Sequence, residues 1–284
     1  MVGRRLKSAR RWWMLAVLGM PIVGGILIDN WLPYSLISHH NRSVASQPDR
    51  FEEYGLSPQQ ITYTSESDIS IRGWFIPGDA DAAHGKKTVI ILHGLGATRQ
   101  DMLEFGLLFQ QKGYNLALID LRSHGESGGA FFTYGYHEWK DVVGLLDWLD
   151  THQPMAVEDV TLIGVSVGGA VAIPAAANDD RIDRLITIAT FADLEETIQA
   201  QSAWLPNAWR NRGINRAESL AKFDVALTSP AQTIQQVDVP VLIVHGEADG
   251  YIPFENGQQL YGAANPPKTL YSIPGADHAD VLYY

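Results

Sequence analysis

Gly164-Val165-Ser166-Val167-Gly168 sets a serine between two glycines, directly after the apolar run Val160-Thr161-Leu162-Ile163. In a G-x-S-x-G elbow the chain leaves a buried strand and enters a helix almost at once. The central residue then takes a strained backbone conformation that projects its hydroxyl outward. Taken alone the five residues fit an ordinary strand-to-helix turn equally well. A serine nucleophile also needs a base, a group that orients the base, and donors for a developing oxyanion. Asp249, after His245-Gly246-Glu247-Ala248, sits where a carboxylate can orient an imidazole, and His278, in Gly275-Ala276-Asp277-His278, is the candidate base. Upstream, His93-Gly94-Leu95-Gly96 is a glycine loop that lets backbone N–H groups approach a ligand. The N–H groups of Leu95 and Val167 are the expected oxyanion donors. His93, and likewise His124 and Glu126, are read as loop-bracing groups.

These groups must be held by a sheet. Thr88–Leu92, Asn115–Asp120, Val160–Ile163, Leu185–Ala189, Val239–Val244 and Lys268–Ile273 read as strands, most of them unbroken apolar runs of the kind expected when helices cover both faces. Residues 99–112, 136–150 and 167–177 read as the helices between them. Alternation of this kind implies a mostly parallel sheet with right-handed crossovers, whose sites lie at the carboxyl ends of strands. Ahead of it, Ile61–Thr64 and Ile69–Ile76 read as an antiparallel hairpin. Residues 191–236 interrupt the alternation for too long to be a plain connector and read as a helical cap. Its Trp204 and Trp209 are expected to pack on the domain beneath; the other reading is that they line an acyl pocket or face a bilayer.

Composition narrows the chemistry. The 284 residues suit one large α/β domain with a small appendage. There is no cysteine, which excludes disulfides, thiolate zinc sites and a cysteine nucleophile. The formal net charge is −11, yet residues 1–28 hold Arg4, Arg5, Lys7, Arg10 and Arg11 and no acid. Everything after residue 28 therefore carries −16, a poor match for nucleic acid.

After the basic segment 1–11, residues 12–28 are uncharged and mostly apolar and end at Asp29. That length is near the lower limit for a spanning helix. Trp12 and Trp13 at one end, and Trp31 and Tyr34 at the other, suit headgroup depth. The basic flank places the amino terminus in the cytoplasm and the body outside it. A single-pass anchor over 12–28 is the expectation; a cleaved signal peptide and a buried core helix are the competing readings, although no small-residue cleavage site follows closely. Residues 29–54 read as a juxtamembrane connector in which His39 and His40 are solvated, leaving 55–284 as the folded domain.

In this order the pieces resemble the serine-type α/β-hydrolase family over roughly residues 55–284. The likeness rests on His93-Gly94-Leu95-Gly96, Asp120-Leu121-Arg122-Ser123-His124-Gly125-Glu126-Ser127, Gly164-Val165-Ser166-Val167-Gly168-Gly169, His245-Gly246-Glu247-Ala248-Asp249 and Gly275-Ala276-Asp277-His278. The nucleophile, acid, base order of that family is kept. Within it the chain looks most like membrane-anchored bacterial hydrolases of the esterase, lysophospholipase or serine aminopeptidase type.

The resemblance implies acyl transfer through an acyl-serine: His278 takes the Ser166 proton, Asp249 holds the imidazole, and no metal or organic cofactor takes part. A small ester or acyl compound is the implied substrate. A serine at position 166 argues against the dehalogenase and epoxide-hydrolase branches, and the lack of cysteine against dienelactone hydrolases. A serine peptidase on the same triad and a non-catalytic scaffold are the alternative readings, and oligomeric state is left open. One departure is visible. Only Ala279 to Tyr284 follow His278, where the family continues into a final helix, so a less firmly held base is expected.

Overall fold

The mostly apolar runs form the centre of the sheet. A computed structural model describes residues 31–38, 48–66, 68–79, 84 and 86–284. Its strands are β1 (Gln59–Thr64), β2 (Ser70–Ile76), β3 (Thr88–Leu92), β4 (Asn115–Asp120), β5 (Val160–Val165), β6 (Ile182–Ile188), β7 (Val241–Gly246) and β8 (Lys268–Ile273). They form one eight-stranded sheet in the order β1-β2-β4-β3-β5-β6-β7-β8. β2 is antiparallel to β1 and β4, and every other pairing is parallel. β3 and β4 are buried along their whole length, whereas edge strand β1 is partly exposed. The expected mostly parallel sheet with an antiparallel amino-terminal hairpin is thus present.

Helices in chain order are α1 (Leu32–Ile37), α2 (Pro48–Glu53), α3 (Leu103–Gln110), α4 (Trp139–His152), α5 (Val167–Asn178), α6 (Leu194–Gln201), α7 (Asn207–Ala221), α8 (Pro230–Thr233) and α9 (Glu255–Ala263). One core layer packs α4 and α5 on the sheet through Leu145, Leu146, Val171 and Ile173. The opposite layer packs α3 through Met102, Leu103 and Leu107, and takes in Val281 near the carboxyl end. The segment 191–236 is largely helical, comprising α6, α7, α8 and a short 3-10 turn.

Several boundaries differ from the sequence reading, and local polar bonding explains them. α4 starts at Trp139 because the buried Glu138 carboxylate accepts from Thr133 N–H, Thr133 Oγ1–H and Gly135 N–H, at 2.7–2.9 Å, and so holds a turn in front of the helix. α3 is shorter than 99–112 because Asp101 accepts from Thr98 N–H at 2.7 Å and the Arg99 side chain is drawn to Asp120. β6 begins three residues early, at Ile182. Asp183 and Arg184 hid it from an apolar pattern, yet Asp183 accepts from Val160 N–H at 2.7 Å and Arg184 pairs with Asp159.

The largest difference lies in 29–54. Part of this expected connector docks on the domain: Ile37 is fully buried, Phe132 N–H donates to Ile37 O at 2.8 Å, and the Tyr134 hydroxyl donates to Leu36 O at 2.6 Å. α1 packs on α7, where Gly213 leaves room for Leu32; a Cβ at 213 would lie 2.5 Å from Leu32 Cδ2. The anchor expected at 12–28, and His39 and His40, lie outside the described residues. Among the described residues no helix is long and apolar enough to cross a membrane.

Candidate active site

The turn from β5 into α5 is made possible by close backbone contacts. A Cβ at Gly164 would come within 2.3 Å of Gly168 O, and one at Gly168 within 2.4 Å of Leu92 O. Ser166, between them, has φ 55° and ψ −119°, a sparsely populated conformation for a non-glycine residue that costs about 1–3 kcal/mol. Its backbone is pinned on both sides: Ser166 N–H donates to Ile188 O at 2.7 Å, and the Thr190 hydroxyl donates to Ser166 O at 3.1 Å. The surroundings therefore fix the strained turn and aim the hydroxyl into the cleft above the sheet.

There the three candidate residues meet. His278 Nε2 lies 3.1 Å from Ser166 Oγ, and His278 Nδ1 lies 2.7 Å from Asp249 Oδ2. Because an ionised carboxylate only accepts, Nδ1 carries the hydrogen and Nε2 is left to accept from the serine hydroxyl. The other carboxylate oxygen of Asp249 accepts from Tyr251 N–H at 2.9 Å and Ile252 N–H at 2.7 Å. Burial works to raise the Asp249 pKa, but the His278 hydrogen bond and these two N–H donors outweigh it and hold the carboxyl below its ordinary value.

The loop carrying His278 is held by hydrogen bonds and by a buried side chain that follows it. Asp277 Oδ1 accepts from His278 N–H at 2.7 Å and from Gly250 N–H at 3.1 Å, Asp280 Oδ1 accepts from Asp277 N–H at 2.7 Å, and Val281 is buried in the core. The two aspartates flanking the histidine thus brace its loop, and the expectation of a loosely held base is corrected. His245, to which the sequence reading gave no role, is buried at the end of β7, and its Nε2–H donates to Ile252 O at 2.8 Å. Burial lowers its pKa and keeps it neutral. It thereby fixes the turn whose N–H groups grip Asp249. The signal available in sequence was a histidine ending an apolar strand four residues before the acid.

Leu95 and Val167 line the same cleft as Ser166. Val167 opens α5, so its N–H is among those a helix leaves unpaired. A Cβ at Gly94 would stand only 3.5 Å from Ser166 Cβ, which brings the glycine loop against the elbow. His93 and Glu126 brace, as expected. His93 Nδ1–H donates to Gly94 O at 2.8 Å and Nε2 accepts from Leu121 N–H at 3.0 Å, tying the glycine loop to the end of β4. Arg99 bridges Asp120 and Glu126, and Glu126 N–H donates to Asp120 Oδ2 at 2.9 Å. His124 is buried beside His93, with ring centroids 5.0 Å apart, and its Nδ1 lies 2.9 Å from Arg122 O.

Burial pushes the His93 pKa down to about 4. The native state therefore stays neutral while the unfolded chain, with an imidazole near 6.5, takes up a proton. Stability is fully present above about pH 6.5 and declines as pH falls toward about 4, by about 3 kcal/mol across that window. Urea unfolding across this pH range should show a shallower slope in His93→Gln than in the parent; identical slopes would remove His93 as the cause.

A cavity of about 260 Å³ opens beside Ser166. Its lining is Trp, Leu, Phe, Ile, Val and Tyr with three serines, one threonine and one glutamine, and among the described residues it contains no Asp, Glu, Lys or Arg. α1 supplies Leu32, Ser35 and Leu36, and the cap supplies Leu194, Ile198 and Trp204. Trp204 is 74% exposed rather than packed on the domain beneath, so the cavity-lining alternative describes it. The sequence reading missed α1 as a wall, although Pro33 suits a first helical turn and Leu32 and Leu36 share a helical face. Among the described residues no cluster of His, Cys, Asp and Glu could hold a metal ion.

Residues 103–279, from the start of α3 to just past His278, match the prolyl oligopeptidase family. The chain belongs to this family. Similar relatives include the uncharacterized protein YqkD of Bacillus subtilis, 30% identical over 250 residues covering 81% of this chain and 76% of YqkD. The uncharacterized protein YfhR of Escherichia coli is 28% identical over 238 residues, covering 81% of this chain and 77% of YfhR. Among solved structures the esterase Pf2001 of Pyrococcus furiosus superposes with a TM-score of 0.67 at 22% identity, over 86% of this chain and 93% of that one. XC6422 of Xanthomonas campestris, described as a serine hydrolase without a lid, gives 0.54 at 20% identity over 78% and 86%. The fold is accordingly of the α/β-hydrolase kind, and the chain is a hydrolase of the α/β serine superfamily.

Proposed function

We propose that the protein is a membrane-tethered carboxylic ester hydrolase acting through an acyl-serine. In this reading Ser166 attacks the ester carbonyl as His278 Nε2 removes its proton. Asp249 stabilises the resulting imidazolium, and the N–H groups of Leu95 and Val167 receive the oxyanion. The protonated His278 then gives its proton to the leaving alcohol, and water, activated by the same imidazole, releases the acid. Residues 12–28 serve as the anchor, with the amino terminus in the cytoplasm and the catalytic domain outside it.

The observation that carries the ester assignment is the uncharged apolar cavity at Ser166. An acyl chain fills such a cavity without stranding a buried charge, whereas a charged group placed there would lose its hydration without gaining a partner. The family match supports a second reading, cleavage of a peptide bond by the same triad. A peptidase that grips a free amino terminus needs a carboxylate near the nucleophile, and the described residues of the cavity lining include none.

A panel of p-nitrophenyl esters from acetate to palmitate, run beside aminoacyl and peptidyl p-nitroanilides, separates the two. Turnover is expected to favour uncharged medium-chain esters. Faster cleavage of anilides bearing a free amino group would establish the peptidase reading instead.

A further inference from the structure

We infer that α1 and the first half of the cap form a lipid-facing rim, so that the cavity at Ser166 opens onto the membrane surface and takes single-chain acyl amphiphiles from it. This deepens the tethered-esterase reading and rests on it.

Chain geometry is the first support. The apolar run ends at Ile28 and α1 begins with Trp31 as its amino-terminal cap. Three Cα steps of 3.8 Å allow at most about 11 Å between Ile28 and Trp31. An anchor that leaves the bilayer at residue 28 therefore delivers Trp31 at headgroup depth. α1 cannot swing away from the domain, because Ile37 is buried in the core and Leu36 O and Ile37 O accept hydrogen bonds from Tyr134 and Phe132. Trp31 and Leu32 line the cavity, so the short link from the anchor fixes the cavity mouth at the interface.

The surface chemistry around that mouth agrees. Trp31 is 59% exposed and Trp204 is 74% exposed, and both line the same cavity. Tyr34, three residues after Trp31 on α1, and Trp209 at the start of α7 are also exposed. Tryptophan and tyrosine with one apolar and one polar side suit the headgroup layer.

Charge points the same way. Beyond residue 28 the chain is strongly acidic, yet residues 197–217 contain Arg210, Arg212 and Arg216 and no acid. Trp209, Arg212 and Arg216 fall at i, i+3 and i+7 on α7, the stripe beside Gly213 where Leu32 packs. A basic, aromatic patch on an acidic body is complementary to anionic lipid headgroups. Substrate entering between Trp31 and Trp204 would pass its chain into the apolar cavity and leave its polar end at the surface, beside the Ser166 hydroxyl.

The absence of cysteine makes the test direct. In the full-length protein, Trp204→Cys or, as a control, Tyr271→Cys on exposed β8 would be labelled with an environment-sensitive fluorophore. Each would be reconstituted into phosphatidylcholine–phosphatidylglycerol vesicles containing spin-labelled phosphatidylcholine. The label at 204 is expected to be quenched and the label at 271 not. Equal quenching of the two labels overturns the inference when the unsubstituted protein resists alkaline carbonate extraction and hydrolyses a soluble butyrate ester, because tether and esterase then stand. Release by carbonate overturns the inference together with the tether. In a second arm, Arg212→Glu with Arg216→Glu should lower hydrolysis of a long-chain monoacyl ester held in the vesicles by about tenfold and leave the soluble butyrate ester unaffected. No change on the vesicle substrate, or an equal fall on both, contradicts it.

Discussion

Replacing Ser166 with alanine is expected to lower kcat for ester hydrolysis by roughly six orders of magnitude, the scale set by removing the nucleophile of a triad that acts as a unit. Stability should barely change, because the backbone bonds from Ser166 N–H to Ile188 and from Thr190 to Ser166 O do not involve the hydroxyl. Ser166→Gly offers the informative contrast. It is equally inactive, but glycine tolerates φ 55° and ψ −119°, so relief of the strained turn should make it more stable than Ser166→Ala by about 1 kcal/mol. Steady-state kinetics and urea denaturation of the two variants read these effects separately. Appreciable turnover by Ser166→Ala would remove the serine from the mechanism.

The second large effect belongs to Asp249→Asn. The N–H groups of Tyr251 and Ile252 require an acceptor at one oxygen position, so the asparagine must place its carbonyl there and turn its amide NH2 toward His278. His278 Nδ1 then accepts instead of donating, the hydrogen moves to Nε2, and the serine hydroxyl loses its acceptor. A fall in kcat on the order of 10⁴ follows from the wrong tautomer. The depressed carboxyl pKa adds a stability signature. The native site binds a proton less readily than the unfolded chain, so this contribution is present above the ordinary carboxylate pKa of about 3.9 and disappears as pH falls through the lower native value. The stability gap between parent and variant should accordingly be widest near neutrality and close as pH is lowered through about 4. A gap independent of pH would place the cost of the substitution elsewhere.

The site was legible where chemistry forces a residue type. Ser166 needs close-packed glycines, Asp249 and His278 follow the ends of β7 and β8, and the order along the chain leaves few other candidates. The sheet was legible for a similar reason, since strands covered on both faces, such as β3 and β4, carry polar residues only at their ends. The parts that escaped depend on contacts remote in sequence. α1 is six residues long and follows an expected anchor, so only Gly213, Tyr134 and Phe132, far along the chain, make it part of the cavity wall. The grip on the His278 loop escaped because Asp277 and Asp280 act on backbone N–H groups, a use that a list of charged residues does not separate from perturbation of the imidazole. His245 escaped because its partner is a carbonyl seven residues away.

In the proposed mechanism Ser166 carries the acyl group. Mass spectrometry of protein acid-quenched during turnover of a p-nitrophenyl ester tests it most directly. A mass increase equal to the acyl group is expected, located on the peptide that contains Ser166 and absent from Ser166→Ala. Ester turnover with no acyl adduct on that peptide, or with the adduct on another residue, would contradict it.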